Sequence, residues 1–462
     1  MKIAIIGGGI SGCFMYLSLK KKLPADDYDF ILYEAYSPAH VSPPPSFPEG
    51  TGAPSASIGV GGGLGIAPNG LNCLKRLDEE LFHDVVRSGY PYAFQQMKSA
   101  NGWNLMRLVT SGAEPSISSV SISRHALWRC LRDRVPDNLV VHRRVAAVVA
   151  NPNGCAVIRF DDNGPDVEAD LIIGADGLKS VTKLALFPEN QEDQFPPHYE
   201  GVVGVGGFIP AETLKDVVET DTMSLVFGGN GFFGYCYGNS DKDAPNRHIP
   251  RGILPPGDSV LWWSTYEIAD CPDPKTIDKE AVLQNIKHRH GKWKSKTVQS
   301  ILSMIQVENM YPVWTTPSLP TWHKDGVVLV GDAAHTLPPT SGQGVSQALE
   351  DVECLSTLLA YRFNRKHGPS LVNDGYDVES TIDSTAWAAK KYMEIRMPRI
   401  QAILEKARQF ENKKRNLSLF EEYFMYFVLF LVGKFPTPSW AIKTFSYNIA
   451  SEVQQVIDTS KD

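Results

Sequence analysis

Short apolar runs broken by glycine set the plan of this chain. Ile3–Ile6 runs straight into Gly7-Gly8-Gly9, a helical stretch follows through Lys22, and "DFILYEA" returns as a second apolar run. That order predicts β-α-β over residues 2–34. A Pro/Ser/Gly-rich loop then spans 37–57, after which "GVGGGLGIAPNGLNCLKRL" reads as a glycine-rich turn and a short helix. The spacing predicts a helix over 123–135, short strands at 139–142, 145–150 and 155–160, and a strand, Asp-Gly and helix over 170–183. From about 190 to 315 the pattern turns to alternating, aromatic-rich strands such as "GFFGYCYGN" and "SVLWWSTYEI", with helical stretches near 278–289 and 295–304. An antiparallel sheet inserted in the chain is the expectation. Val327–Val330 then reads as a buried strand, 345–359 as a helix, and 378–410 as a long helix before further C-terminal helices.

Composition narrows the class of function. With 462 residues, two domains sharing a large interface are expected. Apolar residues make up 43% and charged residues 21%, ordinary globular values. A formal net charge of −7 without a long basic run argues against a nucleic-acid partner and leaves small molecules. The seven cysteines are scattered with no C-x-x-C pair, so no metal site is expected, and reduced thiols in a cytoplasmic setting fit best. No basic segment or cleavage site precedes Ile3, so no secretory signal is expected. Tyr423–Gly433 is apolar but about half the ~20 residues that a spanning helix needs. It is read as a C-terminal helix packed on the core. The other reading is a monotopic membrane contact by the C-terminal helices, with Lys413, Lys414 and Arg415 just upstream.

Candidate chemistry lies where strands end in glycine. Gly7, Gly9 and Gly12 form G-x-G-x-x-G between strand and helix, and Glu34 closes the second strand. The glycines permit the turn, the approach of a pyrophosphate and close helix–strand packing, while Glu34 would accept from a ribose. A dinucleotide is therefore expected. Asp176 and Asp332 each end an apolar strand, where an ionised carboxylate is costly without donors, and cofactor hydroxyls would supply them.

Taken together, "GGGISG" with Glu34, "GADGLKS" and "GDAAHTLPPTSGQGVSQALED" resemble the class A flavoprotein monooxygenases, the family of para-hydroxybenzoate and salicylate hydroxylases. The resemblance covers most of the chain. It implies an α/β fold: a Rossmann-like FAD-binding domain at 1–189 and 316–375, which takes in short substrate-domain strands near 92–121, an antiparallel-sheet substrate domain at 190–315, and a C-terminal helical region at 376–462. It implies FAD bound by Gly7, Gly9, Ser11, Gly12, Glu34, Arg124 of the R-x-x-L helix, Asp176, Gly177, Gly331, Asp332, Gly342, Gln343, Gly344 and Val345. "KYMEIRMPRIQAILEKAR" resembles the family's late Arg-rich helix.

The reaction so implied uses NADPH or NADH as a transient reductant and O2. It hydroxylates or epoxidises an aromatic or polycyclic small molecule through a flavin C4a-hydroperoxide, as in secondary metabolism. A reductase or oxidase of the same fold without oxygen insertion is the alternative. Ala333 and Ala334 leave room beside the ring system, and the helix opening at Gly342-Gln343-Gly344 would face it with its partial positive charge. Two departures stand out: Lys183 where the family often has Arg, and Val205-Gly206-Gly207 where many members carry W-R-G. With glycine at 206 and 207 an open, uncharged wall is expected there. Tyr235 and Tyr237 share one strand face and could line the substrate side, although ordinary sheet aromatics are the simpler reading. His335 reads as a positioned loop residue rather than a base.

Overall fold

A computed structural model of the protein describes residues 1–24, 27–36, 62–110, 117–152, 154–188, 192–249, 253–273, 276–366, 378–411 and 417–460. The Pro-rich loop at 37–57 and the Lys413–Arg415 cluster lie outside the described residues.

The glycine-punctuated runs assemble into one six-stranded sheet, ordered His323–Lys324, Val327–Leu329, Leu171–Gly174, Lys2–Ile6, Asp29–Tyr33, Val140–Val141. All pairs are parallel except the edge hairpin formed by the first two strands. Ile5 pairs with Ile173 on one side and Leu32 on the other. Ile3, Ile5, Ile172 and Val327 are completely buried, as expected where helices cover both faces of a parallel sheet. Helices Ile10–Lys22 and Gly344–Lys366 bury Leu19 and Leu355 in the same core. The long helix Val378–Glu411 adds Ala388, Ala389 and Tyr392.

A second sheet has seven strands, ordered Met310–Thr315, His198–Pro210, Ser259–Glu267, Gly231–Tyr237, Thr222–Gly228, Phe94–Ser99, Asn104–Val109. Its last two strands come from the region near 92–121. The sheet is mixed rather than purely antiparallel, because Thr222–Gly228 runs parallel to Phe94–Ser99, a strand delivered from far earlier in the chain. Helices Lys279–His290 and Lys296–Leu302 cover its back through Val282, Ile286, Val298 and Ile301. A small three-stranded sheet, Gly63–Ile66, Ser119–Ser123, Tyr90–Tyr92, lies between the two large ones.

Two local expectations change. The segment after Asp176 is a 3-10 turn, Thr182–Leu186, rather than an α-helix. Asp176 takes the Thr182 amide and hydroxyl at 3.1 and 3.0 Å and the Ser180 hydroxyl at 2.6 Å, a side-chain alternative that competes with helix formation. The apolar C-terminal run forms helix Leu419–Val432 but does not enter the core. It crosses the edge strand Asn104–Val109, and Tyr426 is its one buried residue, donating to the Phe227 carbonyl at 2.8 Å. Phe420, Phe424 and Phe427 remain 80%, 58% and 56% exposed, because a helix apolar on most sides has been given only a sheet edge to cover.

Candidate active site

At the carboxyl ends of the parallel strands the first and last motifs meet. Gly7 adopts φ +104, and a Cβ there would stand 2.4 Å from the Ala175 carbonyl oxygen. Only glycine fits that turn. Glu34 accepts the Gly8 amide at 2.8 Å through Oε2 and the Tyr36 amide at 3.0 Å through Oε1, so the acidic residue also holds the glycine loop in shape. Trp128, on the R-x-x-L helix Arg124–Arg132, donates to the Gly8 carbonyl at 2.9 Å. Gly331, at φ +60, comes so close to Ser11 that a Cβ would lie 2.6 Å from its hydroxyl.

Beneath Gly331 lies a buried polar network that the sequence reading did not anticipate. Asp351 Oδ2 accepts the Gly331 amide at 3.0 Å and pairs with His335 Nε2 at 2.5 Å, while Oδ1 takes Arg396 Nε at 2.8 Å. Burial alone would raise the Asp351 carboxyl, but His335 and Arg396 hold it below the usual carboxylate range. Glu350 pairs with Arg396 and accepts from Arg399 at 2.7 and 2.8 Å and from Asn69 at 2.6 Å. His335 is thus a positioned loop residue. Helix Gly344–Lys366 supplies Gln347, Glu350 and Asp351, so this network fixes the helix start against the Gly331–Ala333 turn.

Above the network the backbone opens. Cβ atoms added at Gly9, Gly177, Gly342 and Gly344 would meet nothing within 4 Å. Helix Ile10–Lys22 has Gly9 as its cap with no side-chain acceptor, leaving its first amides free for an anion. Among the described residues the Asp332 carboxylate makes no hydrogen bond, and exposed Arg124 makes no side-chain hydrogen bond or ion pair. Among the described residues Gln343 Nε2, His335 Nδ1 and Asn69 Oδ1 are buried without partners, and the Tyr311 hydroxyl is buried beside Asn309. Burial pushes the Tyr311 phenol up to about 12, against the opposing influence of nearby Asn309 and Arg124. Two free helix amide ends, an unpaired cation and an unpaired carboxylate along one cleft fit an FAD-type dinucleotide.

Some positions singled out in the sequence turn away from the glycine cleft or onto their own loop. Asp176 already has three donors from its own loop, and these shape the Gly177 turn. Lys183 turns inward to Asp193 at 2.6 Å and the Phe195 carbonyl at 2.7 Å. Tyr235 and Tyr237 do share a face, but it is the back: they are 1% and 0% exposed in the core under the two covering helices. Lys98 donates to the Tyr235 hydroxyl at 3.1 Å.

The front of the seven-stranded sheet has a different character. Across one row Met106 pairs with Met97, Met97 with Leu225, Leu225 with Gly234, Gly234 with Trp263, and Trp263 with Gly206. Directly opposed partners share a face. Met97, Met106, Leu225, Trp263 and Gly206 are half-buried, whereas Phe233, Tyr235, Trp262 and Val205 behind them are sealed. The wall at Gly206 is uncharged, as expected, but it is not open: a Cβ there would lie 2.9 Å from Trp263 Cβ and 2.6 Å from the Trp262 carbonyl. The same indole covers Gly234, whose Cβ would stand 2.2 Å from the ring. The face also abuts the cleft: Gly63 lies against Leu261, and its strand leads to Ala67, whose amide donates to Ser346 Oγ at 3.1 Å, just inside helix Gly344–Lys366.

Residues 131–386 match the family described as "FAD binding domain". The chain is similar to 6-methylsalicylate 1-monooxygenase atA of Aspergillus terreus, 24% identical over 369 residues that cover 78% of this chain and 74% of that protein. It is 24% identical to a salicylate hydroxylase of Pseudomonas putida over 368 residues, covering 78% and 76%. A solved salicylate hydroxylase substrate complex superposes with a TM-score of 0.71 at 18% identity, covering 98% of this chain and 97% of that one.

Proposed function

We propose, from the premise that this chain belongs to the class A FAD-dependent monooxygenase family, that it uses NADPH or NADH and O2 to insert one oxygen atom into a largely apolar aromatic or polycyclic small molecule. The protein is an oxidoreductase and FAD is its cofactor. When bound, the flavin supplies the exchange of two electrons and the activation of oxygen. The chain's own residues do the rest. Glu34, already fixed by the Gly8 and Tyr36 amides, has lone pairs left for a ribose. The amides following Gly9 would receive the pyrophosphate, Arg124 would add a cation for it, and Asp332 would accept from the ribitol chain. The helix opening at Gly344 would offer its positive end to negative charge on a bound flavin.

One observation carries the substrate class: the front of the inserted sheet presents an uncharged row of Met, Leu and Trp, while the Lys98–Glu219 ion pair is on the far side. Such a wall selects by shape and apolar area rather than by ion pairing. The test is a panel of aromatic and polycyclic compounds scored for NAD(P)H consumption and for incorporation of oxygen from labelled O2. Labelled product from the bulkier, apolar members is expected. Stimulated NAD(P)H oxidation with an altered but unlabelled product would place the chain with reductases or oxidases of this fold instead.

A further inference from the structure

We propose that helix Leu419–Val432 docks on the surface of an anionic lipid bilayer, bringing the edge of the apolar sheet face to the lipid boundary. The helix is apolar on most of its circumference, and Leu419, Phe420, Phe424, Phe427 and Leu431 are exposed, continued by Phe435 at 73%. An exposed patch of this kind on an otherwise ordinary surface marks a contact site. At 14 residues the helix is too short to cross a bilayer, and no helix among the described residues is long and apolar enough to do so. It can lie in the interface.

Charge and rim chemistry favour lipid over another protein surface. Between Lys406 and Lys443 the sequence carries seven Lys and Arg against three Glu, in a chain whose formal net charge is −7. Exposed Lys434 lies 4.5 Å from the Phe430 ring centroid, and Lys406 lies 4.8 Å from that of Trp440. Trp103 packs edge-on to Tyr423 at 6.1 Å. Phenylalanine flanked by Trp, Tyr and Lys is the distribution suited to a headgroup boundary.

The patch is also continuous with the sheet. Gly433, which ends the helix, sits so close to Met106 that a Cβ would lie 2.9 Å from its Cα, and Met106 begins the row that runs through Met97 and Leu225 to Trp263. Choosing lipid rests in part on the proposed apolar substrate, since a pocket edge at the boundary shortens the path for a molecule dissolved in the bilayer. Docking itself is tested without substrate or turnover, so the two readings fail separately.

The experiment is flotation of the FAD-loaded full chain with vesicles of phosphatidylcholine alone or mixed with phosphatidylserine. Wild type is expected to float with the mixed vesicles. The triple variant Phe420→Ser, Phe424→Ser, Phe427→Ser should partition at least roughly a hundredfold less, with unchanged FAD content and melting temperature. Lys434→Glu with Lys443→Glu should weaken binding roughly tenfold or more, and only where phosphatidylserine is present. Equal flotation of the triple variant overturns the proposal, as does binding insensitive to phosphatidylserine. Absence of flotation also overturns it; if sedimentation then shows a dimer that the triple variant dissolves, the face belongs to a second copy of the chain.

Discussion

Arg396 donates to Asp351 across 2.8 Å with both side chains fully buried, and the other Asp351 oxygen holds the Gly331 amide. A residue on the late helix therefore sets the turn that carries Asp332. Arg396→Leu would remove the cation shared by two buried carboxylates, leaving Glu350 to Arg399 and Asp351 to His335, at a cost of about 3 kcal/mol. Chemical denaturation should show a loss of that size, accompanied by release of FAD. A variant that keeps full stability would mean that the carboxylates find other partners or protonate.

Asp351 also predicts an acid response. Its carboxyl binds a proton less readily folded than unfolded, because His335 and Arg396 outweigh burial. Its stabilising contribution is therefore complete above the ordinary Asp pKa of about 4 and is lost as pH falls through the lower folded value. Asp351→Asn should lower the melting temperature at neutral pH, and the gap from wild type should narrow steadily below about pH 4. A gap independent of pH would show that the loss is steric.

Asp332 and Asp176 should separate by phenotype. Among the described residues the Asp332 carboxylate has no partner, so Asp332→Ala should leave the stability of the cofactor-free protein within about 0.5 kcal/mol and weaken FAD binding roughly tenfold to a hundredfold. Arg124→Ala should behave the same way. Asp176→Ala removes three internal hydrogen bonds and should instead destabilise the protein with or without FAD. Fluorescence titration with FAD and thermal melts of the cofactor-free variants distinguish the two outcomes.

Trp263 should set the width of the substrate space. Trp263→Ala uncovers Gly234, so the variant should accept bulkier aromatics and couple smaller ones less efficiently, read as product formed per NAD(P)H consumed. Gly206→Arg should lower folded yield, because its Cβ already lacks room against the Trp262 carbonyl. Well-folded Gly206→Arg with unchanged substrate range would remove this part of the sheet from the pocket.

What was legible in the sequence was local. The β-α-β start, the glycine turns and the helix after Gly344 follow from runs, periods and residue types acting within a few positions. Strand alternation put Tyr235 and Tyr237 on one face, but which face looks at the cleft depends on where helices Lys279–His290 and Lys296–Leu302 dock, and that is set by tertiary packing. The Asp351–Arg396 pair spans 45 residues between two helices, each of which reads as an ordinary amphipathic segment. Asp176 reads as unsatisfied in sequence because the fold-back of Ser180 and Thr182 onto it is a property of the turn, not of the residue pattern. The apolar run at 423–433 is plain in the sequence, but hydropathy alone does not say how much sheet is available to receive it.

The close approach of Gly331 to Ser11 also constrains how the molecule is made. Lys2–Ile6 needs Leu171–Gly174 as a neighbour, which in turn needs Val327–Leu329, and the cleft closes only with the helix after Gly344. At ribosomal rates the first strand therefore waits roughly 20–70 s for the segment that completes its site. For that interval its apolar edge is without its final neighbours, so the nascent chain, more than the finished enzyme, is the species that chaperones must shield.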